Sequence, residues 1–347
     1  MDQNNLMTRR DVIGAASLAP LALAAGASRA AAPEPARTEV AAAQSAGPTL
    51  IIVSRHVQWT DYQTGIQVVK DAGFSGIAWT IRPGAHIEPE NVARDLPKIV
   101  EATHKAGLAT PMVITAISNA QAPHASDIMA TMKSLGITRY RAPGPRYDYK
   151  REFAPQYTAF GASMRELTEL NARYGVRSLF HTQSSEGAVG GSGWDYWLVM
   201  RELDPRYIGI NFDIGHVTTR GGSGWSDFAR AAHPYIGSLS VKDMHWIKNP
   251  RPAPGKWPWE REFVVPGTGM VNFPDFFGYF KSIDFKGPIE TYLEYMAPIP
   301  GTDKKMNMIG TDYGKWKLEV PRDYYLSMLK RDVVFYRGQL RNAGITG

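Results

Sequence analysis

The sequence predicts a single-domain (β/α)8 barrel, the TIM-barrel architecture of the α/β class. Eight short apolar runs alternate with amphipathic stretches between residues 49 and 345, the pattern expected of parallel strands covered by helices. No glycine-rich dinucleotide fingerprint follows the first run, which disfavours an open doubly wound sheet. The chain length alone suggests two domains, but single barrels of this type often reach about 250 residues.

The elements follow in a regular order along the chain. The predicted strands are Leu50–Val53, Gly76–Ile81, Thr110–Thr115, Tyr140–Ala142, Ser178–His181, Ile208–Asp213, Ile236–Lys242 and Pro288–Glu294. The predicted helices include Tyr62–Ala72, Val92–Ala106, Gln156–Tyr174, Phe273–Ile283 and a closing helix over Pro321–Leu340. Four junctions carry a glycine before an apolar residue, at Gly73, Gly107, Gly136 and Gly175. Glycine accepts the left-handed conformation that often ends a helix, so we expect helices to end there.

The composition narrows the classes of function. With 347 residues, 9 Trp, 16 Tyr and 13 Phe, the chain is aromatic-rich and long enough for a large core. It has no cysteine, which excludes disulfides, thiolate metal sites and cysteine nucleophiles. Any metal must therefore bind to oxygen or imidazole ligands. The net charge of +6 is modest, and no basic block is interleaved with aromatics, so we expect no nucleic-acid partner.

The first 48 residues predict an export signal and a linker. Arg9 and Arg10 precede an apolar run from Gly14 to Ala27, and the small residues at 30–32 suit cleavage. This pattern resembles a twin-arginine signal peptide over residues 1–32, followed by a flexible linker over residues 33–48. The apolar run is too short to span a membrane. We therefore expect a periplasmic protein without stable membrane association.

Replacing Arg9 and Arg10 with lysine should abolish export, because the twin-arginine route reads the arginine pair. Cell fractionation followed by immunodetection measures the periplasmic share. Unchanged periplasmic protein in the double variant would contradict the signal assignment.

Ionisable groups collect where the strands are predicted to end. In a barrel of this kind the active site lies at the carboxyl ends of the strands, where the βα loops meet. The polar residues at or just after those ends are His56 and Gln58, Arg82 and His86, Arg141, His181, Asp213 and His216, Lys242, and Glu290 and Glu294. Core packing alone does not produce such a series, so the carboxyl end of the barrel is the predicted site.

Four motifs give the pattern a family resemblance. They are Asp213-x-x-His216, Val241-Lys242-Asp243, Pro266-Gly267-Thr268-Gly269-Met270 and Glu294-Tyr295. Together they resemble the sugar phosphate isomerase/epimerase family, the xylose isomerase-like TIM barrel group, over about Leu50 to Tyr295. The resemblance implies one divalent ion, Mn, Mg, Co or Zn, held by carboxylates and histidine on separate strands. It also implies proton transfer at a carbon next to a carbonyl.

The family's metal ligands match this sequence only in part. Asp213 fits the aspartate ligand, and His181 stands where the family has a glutamate. The strand-seven histidine falls on Ser240, a poor ligand, and the last glutamate falls on Tyr292 or Glu294. We therefore predict His181, Asp213 and Glu294 as metal ligands. His181 as a histidine satisfied within the core is the alternative.

Proton transfer and substrate contacts are assigned to the remaining strand-end groups. We predict His216, Lys242 and Glu294 as catalytic, with a buried Lys242–Asp243 ion pair as the alternative for the lysine. The predicted substrate-binding residues are His56, Gln58, Arg82, His86 and Arg141. For Arg82 and His86 the alternative is bracing of their loop, and for Arg141 it is ion pairing at the barrel rim.

Three functions are compatible with these residues. The first is a metal-dependent isomerase or epimerase of a sugar or sugar-like substrate. The second is a lyase or hydratase of keto-sugars or 3-keto-glycosides, favoured by the missing glutamate pair and the expected export. The third is a periplasmic carbohydrate-binding protein with a decayed site. In each case the partner is a small carbohydrate; a homo-oligomer is typical of the group, but no interface is identifiable.

Overall fold

The computed structural model describes residues 48–310 and 313–346, which lie in one compact unit. The predicted signal peptide and all but the last residue of the predicted linker lie outside the described residues. Among the described helices, none is long and apolar enough to cross a lipid bilayer.

Eight parallel strands close into a barrel, as predicted. The described strands are β1 (Leu50–Val53), β2 (Gly76–Ile81), β3 (Val113–Thr115), β4 (Arg139–Ala142), β5 (Arg177–His181), β6 (Ile208–Asp213), β7 (Ile236–Val241), β8 (Asp243–Lys248), β9 (Trp259–Val264), β10 (Ile289–Thr291), β11 (Met296–Pro298) and β12 (Lys305–Asn307). The barrel order is β1-β10-β7-β6-β5-β4-β3-β2, and pairing of β1 with both β10 and β2 closes it. The fold prediction is confirmed.

Helices follow most barrel strands and cover the outside of the barrel. The described α-helices are α1 (Tyr62–Ala72), α2 (Val92–Lys105), α3 (Ala125–Ser134), α4 (Phe153–Tyr174), α5 (Trp194–Met200), α6 (Ile214–Gly221), α7 (Trp225–Ala232), α8 (Phe273–Ser282) and α9 (Arg322–Asn342). The four predicted junction glycines all have positive φ, between 69° and 90°. A residue with a Cβ would be strained there, which explains why glycine ends these helices.

Alternation along the short strands divides the core into two layers. Ile51 and Val53 belong to a small cluster that includes Leu179 and Tyr292, whereas Leu50 and Ile52 pack in the large layer between strands and helices. Successive strand residues point to opposite faces. One face of each strand therefore fills the barrel and the other holds the helices.

Two hairpins interrupt the simple strand–helix repeat. Lys242 alone separates the end of β7 from the start of β8, which pairs antiparallel with β9. The second hairpin is formed by β11 and β12. The predicted eighth strand, Pro288–Glu294, is shorter than expected, because β10 ends at Thr291. Glu294 therefore lies beyond the barrel strand.

His56 ties the end of β1 to the segment that follows β10. The backbone N–H of Leu293 donates to Nε2 at 3.1 Å, and Nδ1 lies 3.0 Å from the carbonyl oxygen of Met308. Since Nε2 accepts, Nδ1 must carry the proton. Burial lowers the pKa of His56 to about 3. Its two ring nitrogens serve the fold and leave none free for a substrate.

We expect His56 to make the fold less stable in acid. Its pKa of about 3 in the fold lies below the ordinary value of 6.5. Its stabilisation is therefore complete above pH 6.5 and is lost as the pH falls toward 3. The loss approaches about 1.4 kcal/mol per pH unit. Urea unfolding measures the free energy of unfolding of the wild type and of His56→Gln at pH 8 and at pH 5. The wild type should be the more stable at pH 8, and this difference should shrink at pH 5. An advantage independent of pH would contradict this assignment.

Candidate active site

Five predicted residues meet at the carboxyl end of the barrel. His181 and Asp213 end β5 and β6, and His216 lies in the first turn of α6. Lys242 follows β7 directly, and Glu294 lies three residues after β10. Neighbouring parallel strands end at the same edge, so residues distant in sequence become neighbours there.

Asp213 is buried and only half satisfied. Its Oδ1 accepts a hydrogen bond from the backbone N–H of His216 at 2.9 Å, which caps α6. Its Oδ2 accepts no hydrogen bond of good geometry, although it lies 3.2 Å from Nζ of Lys242 and 3.6 Å from Nε2 of His181. Burial raises the pKa of Asp213, and the charge of Lys242 opposes this rise. This oxygen is available to a cation.

Lys242 is the buried cation of the site. Its Nζ contacts Oε2 of Glu294, and it lies 2.8 Å from Nε2 of His216. The faces of Phe263 and Tyr292 lie 4.4 and 5.0 Å from Nζ, a cation–π arrangement. Burial alone would lower the pKa of Lys242, but Asp213 and Glu294 outweigh it and raise this pKa. The lysine is therefore held as an ammonium.

The ammonium fixes the tautomer of His216. Lys242 can only donate, so Nε2 of His216 accepts and Nδ1 carries the proton. Nδ1 lies 2.7 Å from Oγ of Ser184, which also accepts from Arg261. Burial and then the charge of Lys242 hold the pKa of His216 well below its usual value. His216 is therefore neutral, and both of its nitrogens are occupied.

The side-chain amide of Asn211 orients the ring of His181. Its Nδ1 contacts Oδ1 of Asn211, whose amide nitrogen donates to Oγ of Ser238 at 2.6 Å. Nδ1 therefore carries the proton, and the lone pair of Nε2 faces Asp213. Burial and then Arg141 hold the pKa of His181 well below its usual value. A neutral imidazole with one free lone pair is a suitable metal ligand.

A group able to hold a metal lies among these side chains. His181, Asp213 and His216 each offer a ligand atom, and the three atoms lie within 4.8 Å of one another. Two predicted ligands, His181 and Asp213, are thus together, with His216 as the third member. Glu294 instead contacts Lys242, and its role as a ligand stays a prediction.

Asp243 organises the glycine-rich loop rather than pairing with Lys242. Its carboxylate accepts backbone hydrogen bonds from Gly267 and Gly269 at 2.9 Å and from Val271 at 3.2 Å. A Cβ on Gly269 would collide with this carboxylate. The Lys242-Asp243 and Pro266–Met270 motifs are therefore one structural unit.

Of the remaining predicted substrate-binding residues, two brace the barrel strands. Arg141 donates to Oε2 of Glu290 across the barrel at 2.7 Å, and both are buried. Arg82 donates to the carbonyl oxygen of Thr115 through two nitrogens, at 2.7 and 2.9 Å. These contacts agree with the bracing alternatives, and substrate roles for both arginines stay predictions.

Gln58 and His86 lie in the loops after β1 and β2. Nε2 of Gln58 donates to the carbonyl oxygen of Gly84 at 3.2 Å, and Nε2 of His86 lies 2.9 Å from that of Thr60. Burial lowers the pKa of His86. Oε1 of Gln58 and Nδ1 of His86 are buried without a hydrogen-bond partner. Substrate roles for Gln58 and His86 stay predictions.

Sequence reasoning missed the part played by the β8–β9 hairpin. β9 places Phe263 against both Lys242 and His216, with 5.4 Å between the centroids of the Phe263 and His216 rings. Arg261, two residues earlier, reaches Ser184. The available signal was the run Phe263-Val264-Val265, whose aromatic and β-branched residues favour a strand, but it does not indicate which residues that strand covers.

Gly215 leaves room for the lysine. A Cβ on Gly215 would lie 2.5 Å from Cγ of Lys242 and 3.1 Å from its carbonyl oxygen. We expect Gly215→Ala to displace Lys242 and lower the free energy of unfolding by about 1–3 kcal/mol. Gly221→Ala, at the other end of α6 with no atom within 4 Å, is the control and should change it by less than about 0.5 kcal/mol. Urea unfolding measures both; equal stability of the two variants would contradict the crowding.

Comparisons with known proteins agree with this architecture. No curated protein matches the sequence. Among solved structures, D-psicose 3-epimerase from Clostridium cellulolyticum H10, determined with D-tagatose, is 14% identical with a TM-score of 0.58, covering 84% of this chain and 99% of that one. The IolI protein with a bound zinc atom is 14% identical with a TM-score of 0.58, over 82% and 96%.

A third structure, a probable 3-DHS dehydratase of Bacillus anthracis, is 13% identical with a TM-score of 0.57, over 81% and 97% of the two chains. At these identities the likeness concerns the fold. The family model described as xylose isomerase-like TIM barrel matches residues 66–309, well over half of the sequence. The chain therefore belongs to the xylose isomerase-like TIM barrel family.

Proposed function

We propose that the protein is a sugar isomerase or epimerase-like enzyme that moves a proton at a carbon next to a carbonyl. The observation that carries the proposal is the contact between Lys242 and Glu294 at the carboxyl end of a family barrel. A carboxylate beside an ammonium places a base next to a cation that stabilises the oxyanion formed when the proton leaves.

Glu294 is the base in this proposal. Its side chain is 26% exposed, whereas the side chains of Asp213 and Lys242 are 0% and 2% exposed. A substrate entering from the open end therefore reaches Glu294 first. The carboxylate removes the proton from the carbon and delivers it to the neighbouring carbon of the enediolate, while the hydroxyl proton moves to the former carbonyl oxygen, which isomerises the sugar. An epimer forms only when the proton returns to the same carbon from its opposite face.

Lys242 supplies the opposite charge. Its ammonium is held by two carboxylates and lies against the rings of Phe263 and Tyr292. These walls keep water away from Nζ, so its interaction with a developing oxyanion is stronger than it would be in water. His216, with its proton on Nδ1, keeps the lysine in place.

The candidate metal group beside this pair has the residue types that bind a divalent ion. Oδ2 of Asp213, which accepts no hydrogen bond, and the lone pair on Nε2 of His181 would bind the ion, and His216 completes the group that would hold it. A bound ion would polarise the substrate carbonyl. Mn, Mg, Co and Zn remain candidates, and the zinc atom in the IolI structure supports zinc.

Elimination from a keto-sugar is the second candidate function. Besides Glu294, Asp213 is buried against Lys242 and Glu290 is paired with Arg141. Epimerisation by two bases needs a carboxylate on each face of the substrate, whereas one base and one ammonium suffice for loss of a β-leaving group. The likeness to a probable dehydratase favours this chemistry within the same barrel.

Export would influence which sugars the enzyme meets. The proposed periplasmic location rests on the arginine pair and apolar run near the start of the chain. Exported enzymes meet glycosides more often than sugar phosphates, so we propose keto-sugars and 3-keto-glycosides as the first substrates to test.

Glu294→Gln should reduce turnover by about 10²–10⁴-fold, the usual contribution of a general base. Ketohexoses and a 3-keto-glucoside are incubated in deuterated water with protein dialysed and then supplied with Mn, Co or Zn. NMR then measures deuterium incorporation next to the carbonyl. Glu260→Gln, an exposed glutamate on β9, is the matched control and should retain activity.

The products distinguish the alternatives. An epimer or isomer carrying deuterium supports the first function, and an unsaturated product with a released leaving group supports the second. Sugars that raise the melting temperature without exchange or turnover under any metal would contradict both and leave a binding protein.

A further inference from the structure

The ammonium of Lys242 lies against two of the residues that would hold a metal ion. Nζ lies 2.8 Å from Nε2 of His216 and 3.2 Å from Oδ2 of Asp213, two of the three residues in the candidate metal group. Zinc binds such ligands at about 2.0–2.2 Å. An ion at that distance from Nε2 of His216 would lie within about 5 Å of Nζ, and the two positive charges would repel each other.

The chain is shaped to hold the lysine in this position. Gly215 gives its side chain room, because a Cβ there would lie 2.5 Å from Cγ of Lys242. Phe263 and Tyr292 flank Nζ, and Glu294 contacts it from the more open side. Three independent elements, α6, β9 and the segment after β10, therefore select a cationic side chain here.

On β7, the position of Ser240 offers a weaker metal ligand than a histidine or a carboxylate would be. Ser240, two residues before Lys242 and therefore on the same face of β7, is paired in register with Asp213. Its Oγ is buried without a hydrogen-bond partner. A neutral hydroxyl binds a divalent ion more weakly than imidazole or carboxylate does. The cation that lies next to Asp213 at the end of β7 is therefore the ammonium of Lys242.

We infer that Lys242 and a divalent metal ion compete for Asp213 and His216. In the metal-free protein the ammonium is the resident cation of the site. An ion binds when Nζ withdraws from these two residues, and Glu294 remains as its partner. Lys242 thereby sets the metal affinity of the group that would hold the ion of the proposed function.

Zinc titration of the dialysed full-length protein by isothermal calorimetry tests the competition. Lys242→Met removes the competing charge while keeping an unbranched side chain, and it should bind zinc at least about tenfold more tightly than the wild type. Lys248→Met, on the exposed part of β8, makes the same substitution away from the group and should leave zinc affinity unchanged. Equal or weaker zinc binding by Lys242→Met, or no binding by either protein, would overturn the inference.

A second measurement uses the wild type and does not depend on the folding of a variant. Reductive methylation with formaldehyde, followed by peptide mass spectrometry, reports how accessible Nζ of Lys242 is. Zinc should increase its labelling severalfold, because displacement moves it toward the more exposed Glu294. Unchanged or reduced labelling with saturating zinc would count against displacement.

Both readouts are made without substrate. A protein that shows the competition but exchanges no proton on any sugar would contradict the proposed function alone. A protein that turns over sugars while Lys242→Met binds zinc no more tightly would contradict the competition alone.

Discussion

The buried charge of Lys242 is the constraint on which the site depends. Moving an ammonium out of water costs several kcal/mol, and carboxylates with good geometry must offset this cost. Asp213, at the end of β6, and Glu294, in the segment after β10, supply the opposite charges. The barrel must therefore close in one register for the lysine to be neutralised. The same charge sets the tautomer of His216. The space taken by the stem of the lysine requires a residue without a side chain at Gly215.

A second buried pair lies deeper in the barrel. Arg141 of β4 reaches Glu290 of β10 across the interior, and the ring of Tyr292 covers its guanidinium at 4.9 Å. Burial raises the pKa of Glu290, and Arg141 opposes this rise. The arginine also depresses the pKa of His181. Charges of alternating sign therefore connect the interior of the barrel to the open end, and removing any one of them leaves its neighbours unpaired.

Local patterns predicted the fold well because the information they carry is local. Apolar runs located β1, β2 and β6 to the residue, and Gly73 and Gly175 marked the ends of α1 and α4. The third strand began later than expected, at Val113. The eighth barrel strand, β10, ended earlier than predicted for a related reason: apolar composition continues past Thr291, but pairing with β7 does not. Composition marks where a strand is possible, whereas partners decide where it ends.

The site was predictable as a set of residues but not as a set of contacts. Strand-end polarity brought forward His181, Asp213, His216, Lys242 and Glu294, all of which meet. Which of them touches which depends on strand register and on side chains from distant segments. Phe263 illustrates the limit, because only the β8–β9 hairpin places it over Lys242. His56 shows the opposite case. It was predicted to bind substrate, but both of its ring nitrogens bond to backbone atoms of the segment after β10.

Asp243 gives the hairpin a fixed base. It lies at the first residue of β8, and its carboxylate holds Gly267 and Gly269 just after β9 has ended. The start of β8 and the turn that follows β9 are therefore held together next to Lys242. The proline-rich connection from Asn249 to Pro258 is far from that anchor along both strands. Insertions, deletions or new aromatic residues at that tip can therefore change the surface beside the site without moving Lys242, so the tip and the charged cluster are free to evolve separately.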